Sequence, residues 1–368
     1  MTLDDVLAQA SHEAVARITV LWPDGTVRRV FDVDQRVLTG GSVTAEWRRD
    51  VRRSASLDLV NDAAGTLTPA LSDDLFAQGS IVSIERGAVV DGSPTYAQLM
   101  TGFVTLGTAS YPEATISLAV EGYMSALGQP HGTGEQLIAG TFLVDALHAL
   151  FDPVLPSVTW VIEAGAEELA LGADIPVLPT DSRLDVGLKI ARDLGAEVFD
   201  DRYGRIVVRV RQGPTTQPTV RVMTDPLSVQ RTMGRAPINA QPVTGTVGDR
   251  EPVYVLVEVD DPSSPVHRDR IGLRMAPMIA TDTTDDPDTL RAMGRSWLAA
   301  RAMAQDSVSV SSLPDHLDLD AGDVVERVNA TTGTSGRYAV DSITYPIGQG
   351  TITTTETSVV PIFLADET

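Results

Sequence analysis

No cysteine occurs among the 368 residues, which removes disulfide staples, thiolate metal sites and a cysteine nucleophile together. Lysine is nearly absent as well: Lys189 is the one ammonium side chain, and the remaining basic residues are arginines. Guanidinium groups suit fixed, bidentate pairing, as in packed interfaces, although GC-rich codons give the same bias. Aromatic residues make up 5% of the chain, few for the stacking platforms of a glycan-cleaving cleft. No apolar run approaches the roughly 20 residues of a membrane helix, and Met1-Thr2-Leu3-Asp4-Asp5 is acidic rather than basic and then apolar. Neither a span nor a secretory signal is expected, and the product is expected to be soluble and cytosolic when made. Positive charge is scarce overall: 28 basic against 50 acidic residues leave a net charge of -22. Repulsion opposes lying along a phosphate backbone or an anionic lipid surface, so specific nucleic-acid binding is not expected.

What is present is globular. An apolar content of 43% supports a sizeable core, and the length suggests two or three domains. After a helical start over 3–15, the pattern alternates. Ile18, Val20 and Trp22 lead to the turn Pro23-Asp24-Gly25 and a return from Val27 to Val30, a hairpin pattern. Strands are predicted at 43–47, 54–60, 81–86, 100–108 and 115–123, with turns at Asn61-Asp62, Asp91-Gly92 and Tyr111-Pro112 and a crossing at Pro69–Leu75. Short strands at such spacing indicate a barrel or sandwich.

Near residue 141 the period changes. Phe142, Leu143, Ala146, Leu147, Leu150 and Phe151 fall at helical spacing and stop at Asp152-Pro153. A strand at 159–162, a helix over 181–194 closed by Gly195, and a hairpin around Asp201-Arg202-Tyr203-Gly204 complete a small α/β unit. Alternation returns at 253–259, then a helix over 288–304 and strands at 307–311, 323–329, 337–344 and 351–359. The predicted fold is mainly β with an α+β insert: two related β-barrel domains, 1–127 and 242–360, flank the α/β insert 128–241, with a tail at 361–368.

Most chemistry fails on spacing. His12, His131, His148, His267 and His316 include no pair at the i, i+4 spacing of a zinc helix. Asp318, Asp320 and Asp323 resemble a calcium loop, but the glycine sits one place early and Asn329 stands where a bidentate glutamate belongs. Gly333-Thr334-Ser335-Gly336 lacks the last glycine of a nucleophile elbow and reads as a hairpin turn. Gly132-Thr133-Gly134 is too short for a dinucleotide fingerprint, and Asn329-Ala330-Thr331 is a polar turn in a chain without a secretory signal. The carboxylates Glu163, Glu167, Glu168, Asp200, Asp201, Asp260 and Asp261 sit in predicted loops or turns, with no pair tied to a pocket. Trp22, Trp47, Trp160 and Trp297 are expected in cores or interfaces. No catalytic, cofactor-binding or metal-binding residue is assigned.

Three segments do carry a resemblance. They are Leu178–Asp185 running on to Gly195–Gly204, then Asp260–Pro265, and finally Asp320–Val325 with Gly333–Ile343. In that order, and with Arg52–Leu59, Arg86-Gly87 and Asp91-Gly92, the chain resembles the tail-hub (baseplate hub or minor tail) proteins of long-tailed actinobacterial phages, along nearly its whole length. The resemblance implies a virion protein at the tail tip, with no enzymatic activity. It implies a homotrimer whose two related domains per chain make a pseudo-hexameric ring around the DNA ejection channel. Its expected partners are the tail tube, the distal tail protein, the tape measure protein and tail-tip or fibre proteins. Some hubs carry a further C-terminal hydrolase domain, and the end at Thr368 leaves no room for one. The alternatives from other classes are a carbohydrate-active or peptidoglycan-degrading hydrolase using a carboxylate pair, and a β-sandwich carbohydrate-binding module.

Overall fold

The computed structural model describes residues 2–9, 13–22, 24–31, 38–60, 79–110, 115–214, 217–224, 226–233, 238–248, 250–302, 306–314, 316–328 and 335–359. A short helix α1 (Leu3–Leu7) opens the chain, capped by Thr2, whose hydroxyl accepts from Asp5 N while the Asp5 carboxylate accepts from Thr2 N. It is much shorter than the predicted 3–15 helix, because the β-branched run that follows enters a sheet. That run is β1 (Ala14–Leu21), followed by β2 (Val27–Phe31), β3 (Leu38–Glu46), β4 (Arg53–Val60), β5 (Ile81–Val90), β6 (Ser93–Ser110) and β7 (Thr115–Gly122). The alternation is visible in burial: Leu57 and Leu59 of β4 are sealed while Asp58 and Val60 face out.

The insert contains β8 (Glu135–Leu137), α2 (Leu143–Phe151), β9 (Trp160–Ile162), β10 (Ile175–Val177), α3 (Arg183–Asp193), β11 (Ala196–Asp200) and β12 (Ile206–Val210). Helices α2 and α3 bury Leu147, Leu150, Phe151 and Ile190 against the sheet β11-β12-β9 in a core of their own. Gly187 is what lets the helices approach, since a Cβ there would fall 2.5 Å from Phe151 Cζ.

Next come β13 (Thr219–Met223), β14 (Ser228–Met233), β15 (Ala240–Gly245), β16 (Val253–Glu258), α4 (Arg268–Ile271), β17 (Ile279–Thr281), α5 (Pro287–Ala302), β18 (Asp306–Ser312), β19 (Val324–Arg327), β20 (Gly336–Pro346) and β21 (Ile352–Ser358). Strands β15, β16 and β17 form a separate sheet covered by α5 through Leu290, Met293 and Leu298. The stretch 240–302, expected within the second β region, is therefore a second α/β layer. Conversely residues 219–233, assigned to the insert from the sequence, form β13 and β14, which pair with β19 and β18.

The chain is mainly β, as expected, and no closed barrel is seen among the described residues, so the two related barrels expected from the sequence are not confirmed. Among the described residues, strands from both β regions join in one 13-stranded sheet, β14-β18-β21-β20-β3-β4-β7-β6-β5-β1-β2 with β13-β19 attached to β20. A single core runs beneath it, from Leu7 and Ile18 to Tyr345 and Ile352.

Within that sheet the topology repeats. The spatial order β1-β5-β6-β7-β4-β3 recurs as β13-β19-β20-β21-β18-β14, and the strands of each set occur in the same order along the chain. Every corresponding pairing is antiparallel, except that β1 lies antiparallel to β5 while β13 lies parallel to β19. A β-bulge falls at the same point in both, between Val104 and Leu106 on β6 and between Val340 and Ser342 on β20. Aligning on the bulges matches Val104 with Val340, Ser54 with Ser307, Thr108 with Thr344, and Thr44 with Thr232.

Candidate assembly interface

The two repeats meet where β3 lies antiparallel to β20. Thr44 stands opposite Thr344, Val43 opposite Tyr345, and Ala45 opposite Ile343. Val43, Ala45, Ile343 and Tyr345 are sealed in the core; burying each large side chain contributes about 1.5–3 kcal/mol. On the other face the two threonine hydroxyls meet at 3.1 Å, a cross-strand pair of roughly 0.2–1 kcal/mol. The ladder extends through Trp47 N to Asp341 O at 2.8 Å and Ile347 N to Gly41 O at 3.0 Å. Gly41 needs its φ of +127°, and a Cβ there would strike the Ser56 carbonyl of β4.

Behind this joint lies a charged junction built from the segments that carried the resemblance. Arg53 donates to the Asp320 carboxylate and to Leu99 O at 3.2 Å. Arg202, from the β11–β12 turn, donates to Leu317 O, Asp318 O and Leu319 O at 2.5, 2.7 and 2.9 Å. The buried Tyr345 hydroxyl donates to Leu319 O, and Arg52 pairs with Glu197. Burial opposes ionisation of Glu197, but Arg52, Arg209 and Arg211 together hold its pKa below the usual range. Asp200 ends β11 fully buried, its carboxylate against Gly122. Burial pushes its pKa up to about 6, and Arg53 offsets only part of that. Asp323 is likewise raised to about 6, by burial and by Asp320. Perturbed acids often mark catalytic sites. Here Asp200 is sealed and neither acid lines the neighbouring cleft, so the cluster serves to pin the insert and the 317–323 loop onto the sheet. From the sequence Asp200 reads as a turn carboxylate; the apolar Ala196, Val198 and Phe199 that lead into it are the pattern of a strand end.

The remaining candidates scatter. Asp318 is engaged by Arg221, and Asp320 N donates to Asp323 Oδ2 at 2.7 Å, so arginines and a turn occupy the apparent calcium loop. Asp261 accepts from Ser263 N at 2.7 Å in a local turn. Asp201 holds Arg205 at 2.7 Å, Asp260 lies 3.7 Å from Arg295, and Glu167 and Glu168 lie in a one-turn helix that Glu163 precedes. His131, His148, His267 and His316 lie in separate local contacts, with Glu135, Asp152, Asp269 N and Arg221. Trp47 is buried, whereas Trp22 is 45% exposed under Arg28, outside the core. Trp160 packs on His148 and Phe151. Trp47 and Trp297 flank a cleft of about 280 Å³ whose rim carries Arg48, Arg192 and Arg211. His12, Pro69–Leu75, Asn329–Thr331, Gly333-Thr334 and the tail 361–368 lie outside the described residues. No helix among the described residues is long and apolar enough to cross a membrane.

No family model and no curated protein matches this chain. Solved structures do. The chain is similar to a tail protein from Neisseria meningitidis, with 14% identity, a TM-score of 0.64, and coverage of 96% of this chain and 100% of the other. It is similar to the 43 kDa tail protein of prophage MuSo2 from Shewanella oneidensis, with 12% identity, a TM-score of 0.62, and coverage of 94% and 98%. A prophage tail protein from Listeria monocytogenes follows at 10% identity and a TM-score of 0.58, with coverage of 93% and 94%. The chain thus shares the fold of these three tail proteins over nearly the full length of each. None of these three sources is actinobacterial, so the likeness shows a shared fold and says nothing of the host group.

Proposed function

We propose that the chain is a structural tail protein, a baseplate or tail-tip hub that assembles as a homotrimeric ring. The observation that carries the reading is the repeated six-strand topology, with its two copies already joined edge to edge at β3 and β20. Three such chains offer six equivalent units, which is what a joint between a hexameric tube and a three-fold tip requires. Under this reading the partners are the tail tube, distal tail protein and tape measure protein on one side and tail-tip or fibre proteins on the other, in a long-tailed phage. The likeness in fold to phage tail proteins supports the class.

A ring around an ejection channel must let a polyanion slide, and a net charge of -22 disfavours the phosphate contacts that supply most non-specific DNA affinity. The hydrolase alternative has nothing specific in its favour: Asp200 and Asp323, both raised to about 6, are held in the charged junction rather than displayed in a cleft, and Asp193, also raised by burial, is engaged by Lys189. Light scattering on the purified protein tests the proposal. A mass of three 39.2 kDa chains is expected; a monomer at tens of micromolar contradicts it.

A further inference from the structure

Each chain contains one joint between repeats, and its counterpart has no occupant among the described residues. On β20, residues 338–344 pair with β21 along one edge, while β19 and then β3 share the other. On β6, residues 102–110 pair with β7 along one edge, while β5 covers the other only as far as Phe103. Beyond the contact of Val104 with the 79–80 backbone, that second edge carries no strand among the described residues. Leu106 stands 62% exposed there, and Gly107 and Thr108 are exposed with it. At the far end of the sheet β14, the counterpart of β3, pairs among the described residues only with β18, and Ser228 and Thr232 are exposed. An open strand edge presents unpaired N–H and C=O groups that water satisfies less well than a ladder does, and it recruits another strand.

We propose that β14 of one protomer adds antiparallel to the open edge of β6 on a second copy of this chain, repeating between chains the joint that β3 and β20 make within one. The register follows from the bulge alignment. Thr44 and Thr344, whose hydroxyls meet at 3.1 Å, correspond to Thr232 and Thr108, so the same residue pair recurs at the open positions. Ser54 and Ser307, the neighbours of Thr44 and Thr232 on the next strand, are also identical. The contact is heterologous, since β6 and β14 are different edges of one chain, and each protomer both gives and receives a strand. Such contacts close into rings when the rotation permits and into filaments otherwise. The inference deepens the ring reading by naming the strands and register that close it.

The absence of native cysteine makes disulfide trapping free of background. The Thr108→Cys, Thr232→Cys double variant, oxidised, is expected to run on a non-reducing gel at the mass of two and three chains and to return to one chain on reduction. Mixing the two single variants is expected to give the two-chain band. Thr44→Cys with Thr344→Cys is the internal control, losing its free thiols while staying at one chain mass. A trimer by light scattering that fails to cross-link through 108 and 232, while the control closes, overturns the strand joint and leaves the ring standing. A monomer that fails to cross-link overturns both.

Discussion

The sealed carboxylate of Asp200 sets up a pH experiment whose sign is fixed. Its pKa is raised from 3.8 to about 6 in the folded chain, so the folded state binds that proton more tightly than the unfolded state. The resulting stabilisation is fully present below pH 3.8 and is lost as pH rises through 6. Above pH 7 the ionised group costs about 3 kcal/mol, taking 1.36 kcal/mol per pKa unit. At pH 5 the cost is about half that. An Asp200→Asn variant is close to isosteric with the protonated acid and carries no such cost, and Arg53 keeps Asp320 and the Leu99 carbonyl as partners. It is expected to be more stable than the parent at pH 8 by about 3 kcal/mol, with the gap narrowing to roughly half at pH 5. Chemical denaturation at pH 5, 6, 7 and 8 measures both curves. A variant less stable at pH 8, or a gap that does not change with pH, refutes the reasoning. Because a peptidoglycan hydrolase working through Asp200 would be silenced by the same change, zymography on the parent and variant is expected to show no clearing by either.

Other perturbations test the packing. Arg327 and Glu356 form a bidentate pair with side chains 2% and 0% exposed; Glu356→Gln strands the guanidinium and is expected to cost about 3–5 kcal/mol, whereas Arg327→Met with Glu356→Leu recovers most of it, as urea midpoints will show. Gly187→Ala gains about 1 kcal/mol of helix propensity, but its Cβ meets the Phe151 ring, and overpacking of about 1–3 kcal/mol is expected to win; a raised melting temperature contradicts this. Gly122→Ala drives a Cβ into the Asp200 carboxylate and is expected to destabilise by about 1–3 kcal/mol, with an Asp200→Ala background relieving it in a double-mutant cycle.

Local pattern carried much of the fold into the sequence. The apolar spacing of Leu143 to Phe151 and the Gly195 stop are those of α2 and α3, and the turn at 201–204 joins β11 to β12. The repeat was hidden because residues 234–305 separate β14 from β18, whereas a six-residue connection separates β3 from β4. Strands β13 and β14 are short, and in β13 the alternating valines Val220 and Val222 are the exposed residues, so the pattern does not mark a core face. The junction of Arg53, Arg202 and Asp320 joins segments more than a hundred residues apart, which spacing rules do not reach. One clue was present in the letters: Val104 and Thr108 share their spacing with Val340 and Thr344, and Ser54 and Ser56 share theirs with Ser307 and Ser309.

Image averages of the purified protein by electron cryo-microscopy test the central claim most directly. The account requires a closed ring of three chains with three-fold symmetry, near six-fold in the sheet layer, where the two repeats alternate around the circumference. Single chains, two-fold dimers, or a ring in which the repeats do not alternate would contradict it.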